Sequence, residues 1–88
     1  MIKVGQIYRE IGFPRYVVTL VEDSKDFPKM NRVHYICANG ESMCGEREKF
    51  EYSVKMGEID KENYPVLVAE YTTWQEAVNS KEFKVGGK

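Results

Sequence analysis

The sequence predicts a mainly β, α+β domain: a small antiparallel β-barrel of four to five strands with a short C-terminal helix. Three observations predict this fold class. Short apolar runs alternate with turns rich in Gly, Pro, Asn and Asp between residues 4 and 71, a pattern typical of small β domains. One run leads directly into an Asn-Gly dipeptide at 39–40, which favours a tight hairpin. A Thr-x-x-Glu capping box at 73–76 then predicts a helix over about residues 73–80.

Length and charge limit the possible function classes. With 88 residues the chain forms a single domain, residues 1–88. Its 13 basic and 14 acidic side chains give a net charge of −1, so no overall field draws it to nucleic acid or to an anionic membrane. No apolar stretch approaches the roughly 20 residues of a membrane span, and the N-terminus lacks the apolar segment of a signal peptide. We therefore expect a cytoplasmic protein, and we expect it to be a monomer.

Two strands begin the predicted barrel. Residues 6–11 place Ile7 and Ile11 on one side of a strand that ends at a Gly-Phe-Pro turn. Residues 16–21 are apolar on both faces except at Thr19, which is typical of a central strand covered on both sides. This second strand should be the most buried segment of the chain.

A polar connection over residues 22–32 follows the second strand and is long for so small a domain. It holds two isolated apolar side chains, Phe27 and Met30. Aromatic and methionine side chains are enriched at protein interfaces. Two interpretations remain open: either these side chains form a partner-binding site, or Phe27 folds back as a plug over the mouth of the barrel.

The Asn-Gly hairpin predicts a register for its two strands. A two-residue type I′ turn places Cys44 beside Tyr35. Cys37 and Cys44 are then diagonal neighbours on one face, and in a cytoplasmic protein both thiols should be free. His34 and Cys44 leave opposite faces of the hairpin, so this register argues against a thiolate–imidazole pair.

Two more strands and a helix complete the predicted fold. Apolar side chains recur with a period of two at Phe50, Tyr52, Val54 and Met56. This spacing predicts a half-buried strand over residues 50–56, and the apolar run at 65–71 predicts another. Trp74 should lie on the inward face of the terminal helix, which closes one end of the barrel. The tail over residues 84–88 should fray.

The opening of the chain resembles that of small SH3-like barrel proteins from phages and prophages. Val-Gly-Gln-Ile-Tyr at 4–8, followed by Tyr-Val-Val at 16–18, is similar to the Val-Gly-x-x-Tyr and Tyr-x-Val strands that pair in those proteins. The resemblance covers roughly residues 4–71 and implies an SH3-like barrel. It also implies an accessory or host-directed factor, encoded by a phage or prophage and acting in the host cytoplasm.

No motif predicts catalysis or a cofactor. The Gly-Glu-Ser-Met-Cys-Gly segment at 40–45 is similar to a nucleophile elbow, but its second glycine is one residue late and it follows a hairpin instead of leading into a helix. Two cysteines and one histidine are too few for the usual zinc sites. We therefore expect that the protein is not an enzyme and holds no metal or other cofactor.

Nucleic-acid binding is the alternative function. Small barrels commonly stack bases on exposed aromatic rings beside a basic groove. The candidate basic and aromatic edge consists of Tyr8, Arg9, Phe13, Arg15, Arg47 and Lys49. Residues 1–56 hold nine basic and eight acidic side chains, a balance of +1, which is a small excess for an affinity dominated by phosphate contacts.

A protein-binding module is the interpretation that we favour. The predicted partner-binding residues lie in or beside the long polar loop and are Phe27, Lys29, Met30 and Arg32. A sheet edge beside this loop offers a second route, because an exposed strand can recruit a strand of a partner. The predicted function is therefore the recognition of another protein.

Overall fold

The computed structural model describes residues 1–85 and contains one open antiparallel sheet. Its strands are β1 (Gln6–Arg9), β2 (Tyr16–Val21), β3 (Arg32–Cys37), β4 (Ser42–Glu46) and β5 (Val66–Glu70). They lie in the order β4-β3-β2-β1-β5. The α+β class and the antiparallel sheet are confirmed. The sheet does not close into a barrel, because β4 and β5 are its two edges and do not pair with each other.

Helices cover both faces of the sheet. They are α1 (Arg47–Gly57), α2 (Trp74–Val78) and α3 (Lys81–Val85), and a short 3-10 turn spans Pro28–Met30. Throughout residues 1–85, every helix is too short or too polar to cross a membrane.

Helix α1 replaces the strand predicted over residues 50–56. Phe50 and Val54 are four residues apart, so they share a face of a helix as well as a face of a strand, and both pack against the sheet. Tyr52 points away and is 60% exposed. Glu, Lys and Arg fill most of the other positions and favour a helix over a strand. The strand prediction was wrong because the apolar spacing fitted both structures.

The central strands are buried on both faces. Tyr8 and Val18 point to the face covered by α1, whereas their neighbours Ile7 and Val17 point to the face covered by α2 and α3. This follows from the alternation of side chains along a strand. Burial in β2 is complete over Tyr16–Val18 and decreases after it, so the prediction of a strand covered on both sides is confirmed for its first half.

The predicted capping box is present at the start of α2. The Thr73 hydroxyl accepts from the Glu76 N–H at 3.2 Å, and the Glu76 carboxylate accepts from the Thr73 N–H at 3.2 Å. Trp74 is half-buried and packs inward. The helix covers a sheet face rather than the end of a barrel. Of the tail predicted to fray, residues 84–85 belong to α3, and residues 86–88 lie outside the described part of the chain.

The β3–β4 hairpin differs from its predicted turn type. Gly40 has a φ of +93°, but Asn39 stays out of the left-handed region that a type I′ turn requires. The Gly40 N–H donates to the Cys37 carbonyl at 2.9 Å, and the Cys37 N–H donates to the Glu41 carbonyl at 2.8 Å. These bonds close a loop with one residue more than predicted, ending in a left-handed glycine.

The longer loop shifts the strand register by one residue and reverses which side chains share a face. His34 pairs with Cys44, and Tyr35 pairs with Met43. His34 and Cys44 therefore lie on the same face, contrary to the prediction. Cys37 lies in the core beneath α1 while Cys44 is exposed on the other face, so the two thiols are not diagonal neighbours.

Candidate protein-interaction site

Two large apolar side chains project from the loop between β2 and β3. Phe27 is 66% exposed and Met30 is 73% exposed, so Phe27 does not act as a plug. The Met30 N–H donates to the Phe27 carbonyl at 3.0 Å, which closes the 3-10 turn. Phe27 is the N-cap of this turn and Met30 is its last residue, so one short hydrogen-bonded segment carries both exposed apolar side chains. We call residues 27–30 the Phe27–Met30 turn.

The backbone of this loop is held by the buried side chain of Asn31. Its Oδ1 accepts from the Ser24 N–H at 2.8 Å, and its Nδ2 donates to the Ser24 carbonyl at 3.2 Å. The Ser24 hydroxyl in turn accepts from the Phe27 N–H at 3.3 Å. Local hydrogen bonds thus fix the turn without burying its apolar side chains. In the sequence, Asn31 and Ser24 look like ordinary polar loop residues, so sequence reasoning did not identify this arrangement.

Arg47 ties the same loop to the start of α1. Its guanidinium donates to the Glu22 carbonyl at 2.6 Å and to the Asp23 carboxylate at 3.3 Å. It also bonds Glu51 at 3.2 Å, and its backbone N–H donates to the Asn31 carbonyl at 2.9 Å. The Arg47 side chain, which the sequence suggested as a nucleic-acid contact, is thus occupied in holding the loop.

Some of the charged side chains around the turn are paired with each other. A hydrogen bond between His34 and Glu22, 2.8 Å long, lowers the pKa of the Glu22 carboxyl. Lys25 lies 3.3 Å from Asp23 and lowers the pKa of that carboxyl in the same way. Lys29, between the two apolar side chains, has no ion pair within residues 1–85. Lys29 thus places a positive charge between the two apolar residues, while Asp26 places a negative one directly before Phe27.

The predicted partner-binding residues are brought together only in part. Phe27, Lys29 and Met30 lie in the turn, whereas Arg32 begins β3 and points its side chain along the open sheet face. There its Nη1 lies 3.9 Å from the Cys44 sulfur. Arg32 is thus beside the turn but not part of it.

The residues of the nucleic-acid alternative are not brought together. Tyr8 is 1% exposed and donates its hydroxyl hydrogen to Gln6 Oε1 at 2.7 Å, so its ring is not available for stacking on a base. Arg9, Phe13 and Arg15 lie at the end of the sheet that holds the β1–β2 turn. Arg47 and Lys49 lie at the opposite end, because β2 separates the two ends by about 17 Å. In addition, the Arg15 guanidinium bonds the Glu82 carbonyl at 2.7 Å.

One half of a sheet face is left open. Helix α2 covers β1 and β2, whereas on the same face His34 and Ile36 of β3 are only half-buried and Ser42 and Cys44 of β4 are exposed. A concavity of about 370 Å³ results, whose walls include Leu20, His34, Ile36, Ser42 and Trp74. Sequence reasoning missed this surface because the predicted register pointed Cys44 and His34 in opposite directions.

Cys44 and His34, which lie on this open face, are the residues that most resemble a reactive pair. Cys44 is opposite His34, but His34 bonds Glu22 through Nε2, and the polar neighbour of the Cys44 sulfur is Arg32. Within residues 1–85, His, Cys, Asp and Glu side chains do not form a group of three or more suited to a metal ion. Burial raises the pKa of the other thiol, Cys37.

Comparison with known proteins finds no significant match among protein-family models, curated proteins or solved structures. Any function must therefore be inferred from the surfaces described above, of which the Phe27–Met30 turn combines large exposed apolar side chains with a hydrogen-bonded backbone.

Proposed function

We propose that this chain is a non-enzymatic protein-binding module and that the Phe27–Met30 turn is its contact with the partner. The observation that carries the proposal is an exposed apolar pair on a backbone fixed by Asn31 and Ser24. The resemblance of the opening strands to phage and prophage proteins suggests the setting, an accessory or host-directed factor.

A fixed turn is suited to binding because it loses little conformational entropy when it associates with a partner. Ordering a flexible loop opposes association, and a loop that is already ordered avoids that loss of entropy. The few interface residues that dominate affinity are large side chains that enter a pocket on the partner. Phe27 has only two side-chain torsions to restrict, and Met30 adapts readily to an irregular pocket. The pair thus combines a rigid anchor with an adaptable one.

The charges indicate the chemistry of the partner. Lys29 lies between the two apolar residues in the sequence and is unpaired within residues 1–85, whereas the nearby Asp23 carboxylate pairs with Lys25 and Arg47 and the Glu22 carboxylate bonds His34. We infer a partner surface with an apolar pocket and a carboxylate at its rim. Opposite charges at such a rim favour encounter and orientation more than affinity.

Capture of the partner by variants of known stability tests this function. The tagged chain is incubated with lysate of its source organism after nuclease treatment, and the recovered proteins are quantified by mass spectrometry. The double variant Phe27→Ala with Met30→Ala should lose a partner that the parent captures. Its free energy of unfolding should change by less than about 1 kcal/mol, because both side chains are exposed.

The matched control is Phe13→Ala with Ile59→Ala. Phe13 and Ile59 are similarly exposed but lie away from the turn, so this variant should capture the partner as the parent does. The proposal is contradicted if no protein is recovered by the parent, or if both variants lose it equally. It is also contradicted if recovery depends on nucleic acid, with binding to single-stranded oligonucleotides that weakens steeply as salt rises.

A further inference from the structure

The edge strand β4 is unprotected against pairing with another strand. It spans Ser42–Glu46, and most of its side chains are exposed. Natural edge strands are usually blocked by lysine, proline, an inward-pointing charge or a bulge. This strand has no proline or lysine, pairs with β3 without a bulge, and carries its single charge at its last residue.

The hydrogen bonds of the hairpin determine which backbone groups face outward. Cys37 bonds Glu41 at one end of the ladder, and Arg47 bonds Asn31 at the other. In an antiparallel pair, bonded and non-bonded positions alternate. The bonds of residues 41, 43, 45 and 47 therefore point to β3. The N–H and C=O groups of Ser42, Cys44 and Glu46 point to the free edge.

We propose that β4 pairs with β4 of a second copy of this chain, antiparallel and centred on Cys44. Two-fold symmetry requires that a residue contact its own counterpart at the axis and that every other contact occur twice. With Cys44 on the axis, Ser42 of one copy lies opposite Glu46 of the other. This register uses every outward N–H and C=O of the strand and joins the two sheets into one.

The side chains on either side of the axis are complementary in this register. Met43 is a large, partly exposed side chain on the α1 face, and it lies opposite Gly45 of the second copy. No atom lies within 4 Å of the position that a Cβ would occupy on Gly45, so the glycine leaves room for the neighbour's methionine.

This symmetry favours a second copy over an unrelated peptide. An unrelated strand needs only free backbone groups, whereas Met43 and Gly45 complement each other only when the same sequence returns in the opposite direction. The sequence predicted a monomer, and this proposal replaces that expectation. It does not depend on the Phe27–Met30 turn.

Sedimentation equilibrium of the reduced protein over a range of concentrations tests the proposal. The parent should show a monomer–dimer equilibrium. Cys44→Lys places two like charges opposite each other on the axis and should weaken association at least about tenfold. Leu67→Lys is the matched control, because it puts the same charge on the other edge strand, β5, and should dimerise as the parent does.

A second variant distinguishes a weakened interface from a folding defect. Gly45→Val adds a side chain where the monomer has open space but where Met43 of the neighbour should lie. Its melting temperature should equal or exceed that of the parent, because valine favours a strand over glycine, while its dimerisation should weaken.

A thiol oxidant provides a check of register. Diamide accepts two electrons and two protons from two thiols, which join in a disulfide while its N=N bond becomes a hydrazine. The Cα separation of directly opposite residues suits a disulfide, so Cys37→Ser should be cross-linked rapidly and Cys44→Ser should not. A parent that stays monomeric, or a dimer lost in Leu67→Lys but kept in Cys44→Lys and Gly45→Val, overturns the proposal.

Discussion

Among single residues, the buried tyrosines Tyr8 and Tyr16 are central to the core beneath α1. The rings of Tyr8 and Tyr16 stack with centroids 6.0 Å apart, and Phe50 meets Tyr8 edge-on at 5.3 Å. Burial raises the pKa of Tyr8 to about 12, with a further contribution from the Glu70 carboxylate. Burial and the nearby Glu10 also raise the pKa of Tyr16. Both hydroxyls therefore have to stay protonated in the folded protein.

This requirement predicts loss of stability in alkali. The unfolded chain ionises its tyrosines near pH 10, whereas folded Tyr8 ionises only near 12. Above pH 10 the unfolded state therefore binds fewer protons, and the free energy of unfolding falls as the pH rises. Tyr8→Phe should make this fall shallower by up to about 1.4 kcal/mol per pH unit. Denaturant unfolding at pH values from neutral to about 12 measures it.

The exposed Tyr52 supplies the control. Tyr52→Phe should leave the alkaline slope as it is in the parent, because this ring is 60% exposed and lies outside the buried cluster. A parent and a Tyr8→Phe variant with the same slope would show that Tyr8 is accessible to solvent.

Asn31 is expected to act on binding as well as on stability. Asn31→Ala removes the partners of the Ser24 N–H and carbonyl and should reduce the free energy of unfolding by about 1–3 kcal/mol. Because the turn loses its anchor, capture of the partner should weaken although Phe27 and Met30 are intact. Affinity measured at a temperature where the variant is fully folded separates the two effects. Unchanged affinity there would show that the turn needs no anchoring.

Among the secondary-structure elements, α1 differs most from the prediction, because these residues form a helix where a strand was expected. As a strand, residues 50–56 would bury Phe50 and Tyr52 on the same face. As a helix, only Phe50 faces the sheet, where it packs against Tyr8, Tyr16 and Tyr35. Phe50→Ala should therefore reduce the free energy of unfolding by about 2–4 kcal/mol, and Tyr52→Ala by less than about 0.5 kcal/mol. Equal losses, measured by chemical denaturation, would instead support the strand.

The hairpin shows why a register is difficult to obtain from sequence. Asn-Gly is compatible with a two-residue turn and with a three-residue loop in which only the glycine is left-handed. The two choices differ by one residue, and that difference moves Cys44 from the side of Tyr35 to the side of His34. The positions of β3 and β4 were predictable, but the faces of their side chains were not.

Over the whole molecule, the sequence predicted local elements better than their assembly. The central strands and the capped helix at Trp74 follow from patterns that each element contains within itself. Closure into a barrel was a wrong inference because the two apolar faces of β2 are covered by helices on either side of an open sheet. Similarly, Phe27 and Met30 were recognisable as exposed candidates, whereas the anchoring role of Asn31 and the open edge of β4 depend on contacts between distant segments.

The most direct test of the central claim is the hydrogen-exchange footprint of the captured partner on this chain. Amide exchange is measured for the free protein and for its complex with the purified partner. Binding through the Phe27–Met30 turn predicts slowed exchange concentrated in residues 22–32, with little change in the β1–β2 turn. Protection centred on the β1–β2 turn, with residues 22–32 exchanging as in the free protein, would contradict the proposed site.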